Sequence, residues 1–227
     1  MSKNIRKPNL LKRAAAEFLG TGFLLTIVVS SGIMGEKLAN GNAAIALLAN
    51  SIATGTGLVF LILTFAPLSG AHFNSVVTLW TVWSRDLEWH EGLIYLLAQI
   101  CGALVGTGAA NLMFELPIFF ISRKVRSGNA LIFSEFIATF GLLAVVQAGV
   151  KFHPRLAFLM VAAYITAAYW FTASTSFANP AVTFGRMFSD TFAGIRPADA
   201  LPFILAQLAG AGVSVLIFRW LLTEEKR

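Results

Sequence analysis

Apolar stretches long enough to cross a lipid bilayer recur along this chain, at about residues 12–34, 43–65, 92–114, 128–150, 156–173 and 198–222. A hydrocarbon core of about 30 Å needs about 20 apolar residues per helix, so six such runs predict a polytopic helical membrane protein. Composition agrees: 57% of the 227 residues are hydrophobic and only 12% are charged. A soluble domain carries about twice that charge. The formal charge of +6 does not point to nucleic acid, because the basic residues sit at the ends of the apolar runs. Lys3, Arg6, Lys7, Lys12 and Arg13 precede the first run in the manner of a secretory signal. That run is too long for a signal core and lacks a small-residue cleavage site, so it reads as the first span. An even number of spans puts both termini on one side. With both termini in the cytoplasm, 11 Lys and Arg fall inside and six outside, which favours that orientation. The basic loop around Arg123, Lys124 and Arg126 runs against it. Cys101 lies alone in an apolar run and is expected to be a small buried residue.

Two further segments are helical in pattern but too short to span. Residues 174–190 contain Asn179-Pro180-Ala181, where asparagine is a strong N-cap and proline suits the first helical position. From residue 179 to about 189 the segment makes about three turns, roughly 16 Å, half of a hydrocarbon core. Upstream, Pro67 and Gly70 are expected to break the second span, and Asn74-Ser75-Val76-Val77-Thr78 opens a second short piece.

The chain repeats itself. Ala16-Glu17-Phe18 matches Ser134-Glu135-Phe136, Asn74-Ser75-Val76-Val77-Thr78 matches Asn179-Pro180-Ala181-Val182-Thr183, and the Ala-Gln-x-x-Gly-Ala run at Gln99 matches that at Gln207. Each copy, about residues 12–115 and 128–222 of a single channel domain, holds three spans. The odd number inverts the second copy relative to the first. The fold class is therefore all-α, with six transmembrane helices and two re-entrant half-helices in an inverted 3+3 repeat. Discontinuous helices in inverted repeats place their site at the midplane, so Asn74 and Asn179 are expected to face each other at the pore centre.

The segments S-G-A-H-F-N-S-V-V-T-L and S-F-A-N-P-A-V-T, with a glutamate in the first and fourth spans, resemble the aquaporin and glycerol-facilitator family over about residues 12–222. Within it the chain looks most like bacterial aquaporin-like channels associated with arsenic resistance. It departs twice: Ser75 replaces a proline, and Val182 stands where most of the family has a filter arginine. The resemblance implies a passive multi-pass channel of the bacterial inner membrane, a homotetramer in the lipid bilayer, with water and small solutes as its partners and no cofactor. It also implies that Glu17 and Glu135 support the loops before the half-helices. A proton relay through these two carboxylates, in a coupled secondary transporter, is the alternative. Gln99 and Gln207 either assist them or join helices. His72 lines or braces the cytoplasmic side of the pore.

Counted as in the family, the selectivity filter falls at Thr54, Ala167, Ser176 and Val182, with Ala168 and Phe177 as alternative positions. None of the four is charged or aromatic, which predicts a wide, nearly neutral outer constriction. Such a pore suits water, glycerol, urea and neutral metalloid hydroxides such as arsenite. It also suits monovalent arsenic oxyanions, because the half-helix dipoles keep its centre positive. Arg186, one turn beyond Val182, either charges the outer mouth, pairs with Asp190 or faces the surface. No nucleophile–base pair and no metal-ligand cluster is evident, so the chain does not read as an enzyme.

Overall fold

The computed structural model describes residues 8–223, which form eight α-helices and no strand. The basic residues Lys3, Arg6, Lys7, Lys226 and Arg227 lie outside the described residues. The order is α1 (Leu10–Leu38), α2 (Ala43–Ser69), the short α3 (Ser75–Trp83) and α4 (Trp89–Met113). It repeats as α5 (Asn129–Phe152), α6 (Ala157–Phe171), the short α7 (Pro180–Arg186) and α8 (Pro197–Leu221). Five of these helices are long and apolar enough to cross a membrane, with mean hydropathy between 1.7 and 2.0. The sixth, α6, has 15 residues and is shorter than expected. Its end is set at Thr172, whose backbone is extended and whose hydroxyl donates to the Ala168 carbonyl at 2.7 Å.

Two other boundaries differ from expectation. Helix α2 passes through Pro67 and stops at Gly70, which takes a left-handed φ of 93° and donates its N–H to Ala66. A proline in the last turn removes one donor, whereas the left-handed glycine redirects the chain. Helix α7 ends at Arg186 rather than near residue 189, leaving seven residues, about two turns.

Buried polar side chains are set into an apolar core, and the outer faces are apolar as well. Glu17, Gln99, Thr78, Glu135, Gln207 and Thr183 are fully buried, while Phe23, Leu63, Phe133, Leu205 and Leu216 are exposed on the outer faces. Cys101 is also exposed, on α4, contrary to expectation. A soluble fold keeps such outer faces polar, whereas a bilayer requires them apolar. Helix α1 lies mainly against α4 and α2, and α5 against α8. The α1–α4 and α5–α8 crossings are backbone-close. A Cβ on Gly102 would sit 2.3 Å from the Phe18 carbonyl oxygen, and one on Gly210 would sit 2.3 Å from that of Phe136. These equivalent glycines in the two copies show the repeat in three dimensions.

Ser75 takes the first helical position of α3, as Pro180 does in α7. The first-turn N–H has no helical partner there, so Ser75→Pro is expected to keep the fold and raise stability by about 0.4–1 kcal/mol. Thermal unfolding in detergent checks this, and a lower midpoint would show that Ser75 uses its own donors.

Candidate functional site: a midplane pore

The two half-helices meet head to head through their capping residues. Asn74 Oδ1 accepts from the Val76 N–H at 3.0 Å, and Asn179 Oδ1 accepts from Ala181 at 3.1 Å and Val182 at 3.4 Å. Each side-chain amide then crosses to the other copy. Asn74 Nδ2 donates to the Ala178 carbonyl at 2.8 Å, and Asn179 Nδ2 donates to the Phe73 carbonyl at 2.7 Å. One N–H of each amide thus ties the half-helices together. Its geminal N–H is the one left for a solute, since both asparagines line the central cavity. Capping, bridging and cavity lining are carried by the same two side chains.

The loops that aim these carbonyls are held in left-handed backbone. Ala71 and Phe73 have φ of 52° and 47°, and Ser176 and Ala178 have φ of 49° and 46°. Non-glycine residues adopt such angles at a cost of about 1–3 kcal/mol each and need surroundings that enforce them. Glu17 and Glu135 supply that enforcement. Glu17 accepts from Ser69 Oγ at 2.6 Å, His72 N at 2.9 Å, Phe73 N at 2.8 Å and Gln99 Nε2 at 2.9 Å. Glu135 accepts from Phe177 N and Ala178 N, both at 2.9 Å, and from Gln207 Nε2 at 2.6 Å. Gln99 and Gln207 also donate to the hydroxyls of Thr78 and Thr183, at 2.8 and 2.9 Å. Each glutamine therefore links a carboxylate to a half-helix. His72 places Nδ1 3.0 Å from Thr78 Oγ1, and its ring lies edge-on to Tyr95 at 5.3 Å.

A cavity of about 160 Å³ runs past this centre. His72, Val77, Leu58 and Ile62 are among its lining residues, as are Thr54, Tyr169, Ser176, Phe177, Val182 and Arg186. Both residues considered for the loop position, Ser176 and Phe177, reach the cavity. The α6 position differs from expectation. Ala167 is exposed on the outside of the bundle, and Ala168, though fully buried, does not reach the cavity. The face of α6 that lines the cavity is the stripe Phe158, Val161, Ile165 and Tyr169, spaced by three and four. A single helical face cannot include Ala167, two positions beyond Ile165. That spacing was the available signal for Tyr169, whose hydroxyl lies 3.1 Å from Thr54 Oγ1.

Arg186 also corrects the expectation of a nearly neutral constriction. It is 2% exposed and lines the cavity. Its guanidinium carbon sits 3.4 Å from the centre of the Phe177 ring, and its Nε donates to the Ala193 carbonyl. It neither faces the surface nor pairs with Asp190. Asp190 instead binds Arg123, through the backbone N–H at 2.8 Å and Nε at 3.0 Å, and these bonds hold its carboxyl below the usual range.

The basic loop that ran against the charge rule has a structural use. Lys124 Nζ donates to the Phe192 carbonyl at 2.8 Å, and Arg126 Nε donates to Gly194 at 2.7 Å. With Arg186 on Ala193, three consecutive carbonyls receive three basic side chains. Burial, and then the neighbouring Arg126 charge, pulls the Lys124 ammonium down to about 8.

The sequence model of the Major intrinsic protein family matches residues 4–155. The chain belongs to this family. The aquaglyceroporin AqpS of Rhizobium meliloti (strain 1021) is 50% identical over 214 residues, covering 94% of this chain and 91% of that protein. The aquaporin TIP1-2 of Zea mays is 30% identical over 230 residues, covering 93% and 86%. The X-ray structure of the aquaglyceroporin from Plasmodium falciparum superposes with a TM-score of 0.74 at 23% identity, over 92% of this chain and 96% of that one.

As a major intrinsic protein the chain is a membrane channel for small solutes, and it is not an enzyme. The intramembrane glutamates fit that assignment. Every hydrogen bond described for them is a donation from the loops, a serine or a glutamine. A relay needs a carboxylate free to exchange its proton along a path, whereas these are committed to holding strained backbone.

Proposed function

We propose that this major intrinsic protein is a passive channel with an aquaglyceroporin-like bore, conducting water, glycerol and neutral metalloid hydroxides such as arsenite. The observation that carries the reading is Val182 on the cavity wall, directly after Asn179-Pro180-Ala181. A valine offers two methyl groups where an arginine would fill the passage, so it favours solutes wider than water. Thr54 and Tyr169 line the same cavity and bring hydroxyls to it, suited to solutes rich in oxygen. The name of the Rhizobium meliloti relative supports the glycerol part of the reading. The channel acts as a homotetramer in the bacterial inner membrane with both termini cytoplasmic.

Val182→Arg is expected to cut glycerol and arsenite flux about tenfold or more while water still passes, since a guanidinium both narrows the bore and adds fixed donors. Stopped-flow light scattering and radiotracer uptake in proteoliposomes measure both. Unchanged glycerol flux would move the filter away from Val182. The reading extends to monovalent arsenic oxyanions, which a positive centre tolerates better than cations. Liposomes that pass arsenite but no methylated arsenic acid would restrict the channel to neutral solutes. Solute should equilibrate without a proton gradient; accumulation against a gradient would favour a coupled transporter.

A further inference from the structure

Among the described residues no carboxylate pairs with Arg186, although it is one of the most buried side chains in the molecule. Its described contacts are the Ala193 carbonyl at Nε and the face of Phe177. An arginine has five donors, so the two terminal nitrogens remain for whatever occupies the cavity that Arg186 lines. An unpaired buried charge is costly unless water or a polar solute reaches it. Ser176 lines the same cavity but its Oγ is buried with no hydrogen-bond partner, while Thr54 and Tyr169 hold each other. Val182 lies four residues before Arg186 on α7, on the same helical face, and carries no atom that competes for this space.

We infer that this channel divides between two residues what a single filter arginine would do at once: Val182 sets the width of the pore, and Arg186, one turn further along α7, sets its charge and offers paired N–H donors to the oxygens of a solute. The inference rests on the channel reading and concerns how the pore discriminates. Arg186 is held in place by a carbonyl and a ring, neither of which neutralises it. Its charge therefore acts on the cavity, where a cation meets it and a neutral or oxygen-rich solute is bound through hydrogen bonds.

The test uses the full chain in liposomes. Glycerol flux is read by light scattering, and sodium and proton leak are read by potential- and pH-sensitive dyes. In Arg186→Gln the ratio of cation leak to glycerol flux should rise about tenfold or more, because the guanidinium that lines the cavity is lost, while Arg126, 4.9 Å from the same Phe177 ring, is not among the lining residues. Arg186→Lys should keep that ratio within about threefold of wild type, since the charge remains. The exchange variant V182R/R186V should restore a low leak and pass less glycerol, because charge and obstruction then share one position. A leak ratio unchanged in Arg186→Gln, or an exchange variant that leaks as Arg186→Gln does, overturns the inference while leaving the channel intact. Wild-type liposomes that pass no solute overturn the channel reading instead. Should Arg186→Gln fail to insert, the exchange variant decides together with a wild-type comparison of urea and methylammonium. Equal flux of that neutral and cationic pair refutes the barrier.

Discussion

Glu135→Ala is expected to leave almost no folded channel. The substitution strips the acceptor from the N–H groups of Phe177 and Ala178, in the loop before α7, and from Gln207 Nε2, all of them buried. Each stranded donor costs about 1–3 kcal/mol. The left-handed backbone at Ser176 and Ala178 then loses the contacts that enforce it. Together these terms reach several kcal/mol, against a total stability of about 5–15 kcal/mol for an ordinary folded domain. Any protein recovered should unfold in detergent at least about 6 °C below wild type. Glu17→Ala should behave alike, because Glu17 accepts from four donors, two of them the N–H groups of His72 and Phe73 in the equivalent loop. Glu135→Gln separates support from proton transfer. Support predicts a lower unfolding midpoint, since the amide NH₂ meets a donor where an oxygen accepted. A relay predicts an intact fold and a loss confined to gradient-driven uptake.

The second large effect is expected at a glycine. A Cβ on Gly106 would lie 2.0 Å from the carbonyl oxygen of Gly22, an overlap with backbone that no side-chain rotation relieves. The same crossing carries the Thr26 hydroxyl, 2.9 Å from Gly22 O and 3.1 Å from Gly106 O. Gly106→Leu therefore forces α1 and α4 apart and removes the platform that carries Glu17 and Gln99. Overpacking a close core costs about 1–3 kcal/mol and more where backbone must move. Size-exclusion chromatography should show loss of the monodisperse species, and Gly106→Ala should shift in the same direction. Gly212→Ala is the matched control. Its Cβ meets nothing within 4 Å, so elution and thermal midpoint should stay as in wild type. Equal behaviour of the two glycines would show that the α1–α4 crossing tolerates separation.

Much of this architecture is legible before any coordinates. The spans follow from runs of apolar residues, and the half-helices follow from asparagine caps ahead of segments too short to cross. The inverted repeat follows from three short matches in the same order. Where the reading slipped, the causes are local. Of the two expected breakers, Pro67 and Gly70, only Gly70 turns the chain, because a proline in the last turn costs a donor and not the direction of the chain. Counting from the asparagines as in the family gives Ala167 as a filter position. The cavity-lining stripe from Phe158 to Tyr169 shows that α6 presents a different face.

The residues by themselves determined that this chain enters a membrane, folds as two inverted copies and brings Asn74 and Asn179 to one level. Those properties depend on composition and periodicity, which are visible one residue at a time. Only the tertiary structure decided what the cavity beyond Asn179 contains. Arg186 could have met Asp190 or solvent; it meets a ring and the carbonyl of Ala193. Lys124 and Arg126 could have been a topological anomaly; they bind the carbonyls on either side. Backbone carbonyls occur at every position and leave no mark in a sequence. Which basic side chains they hold, and which they leave for the pore, is settled when the chain closes on itself.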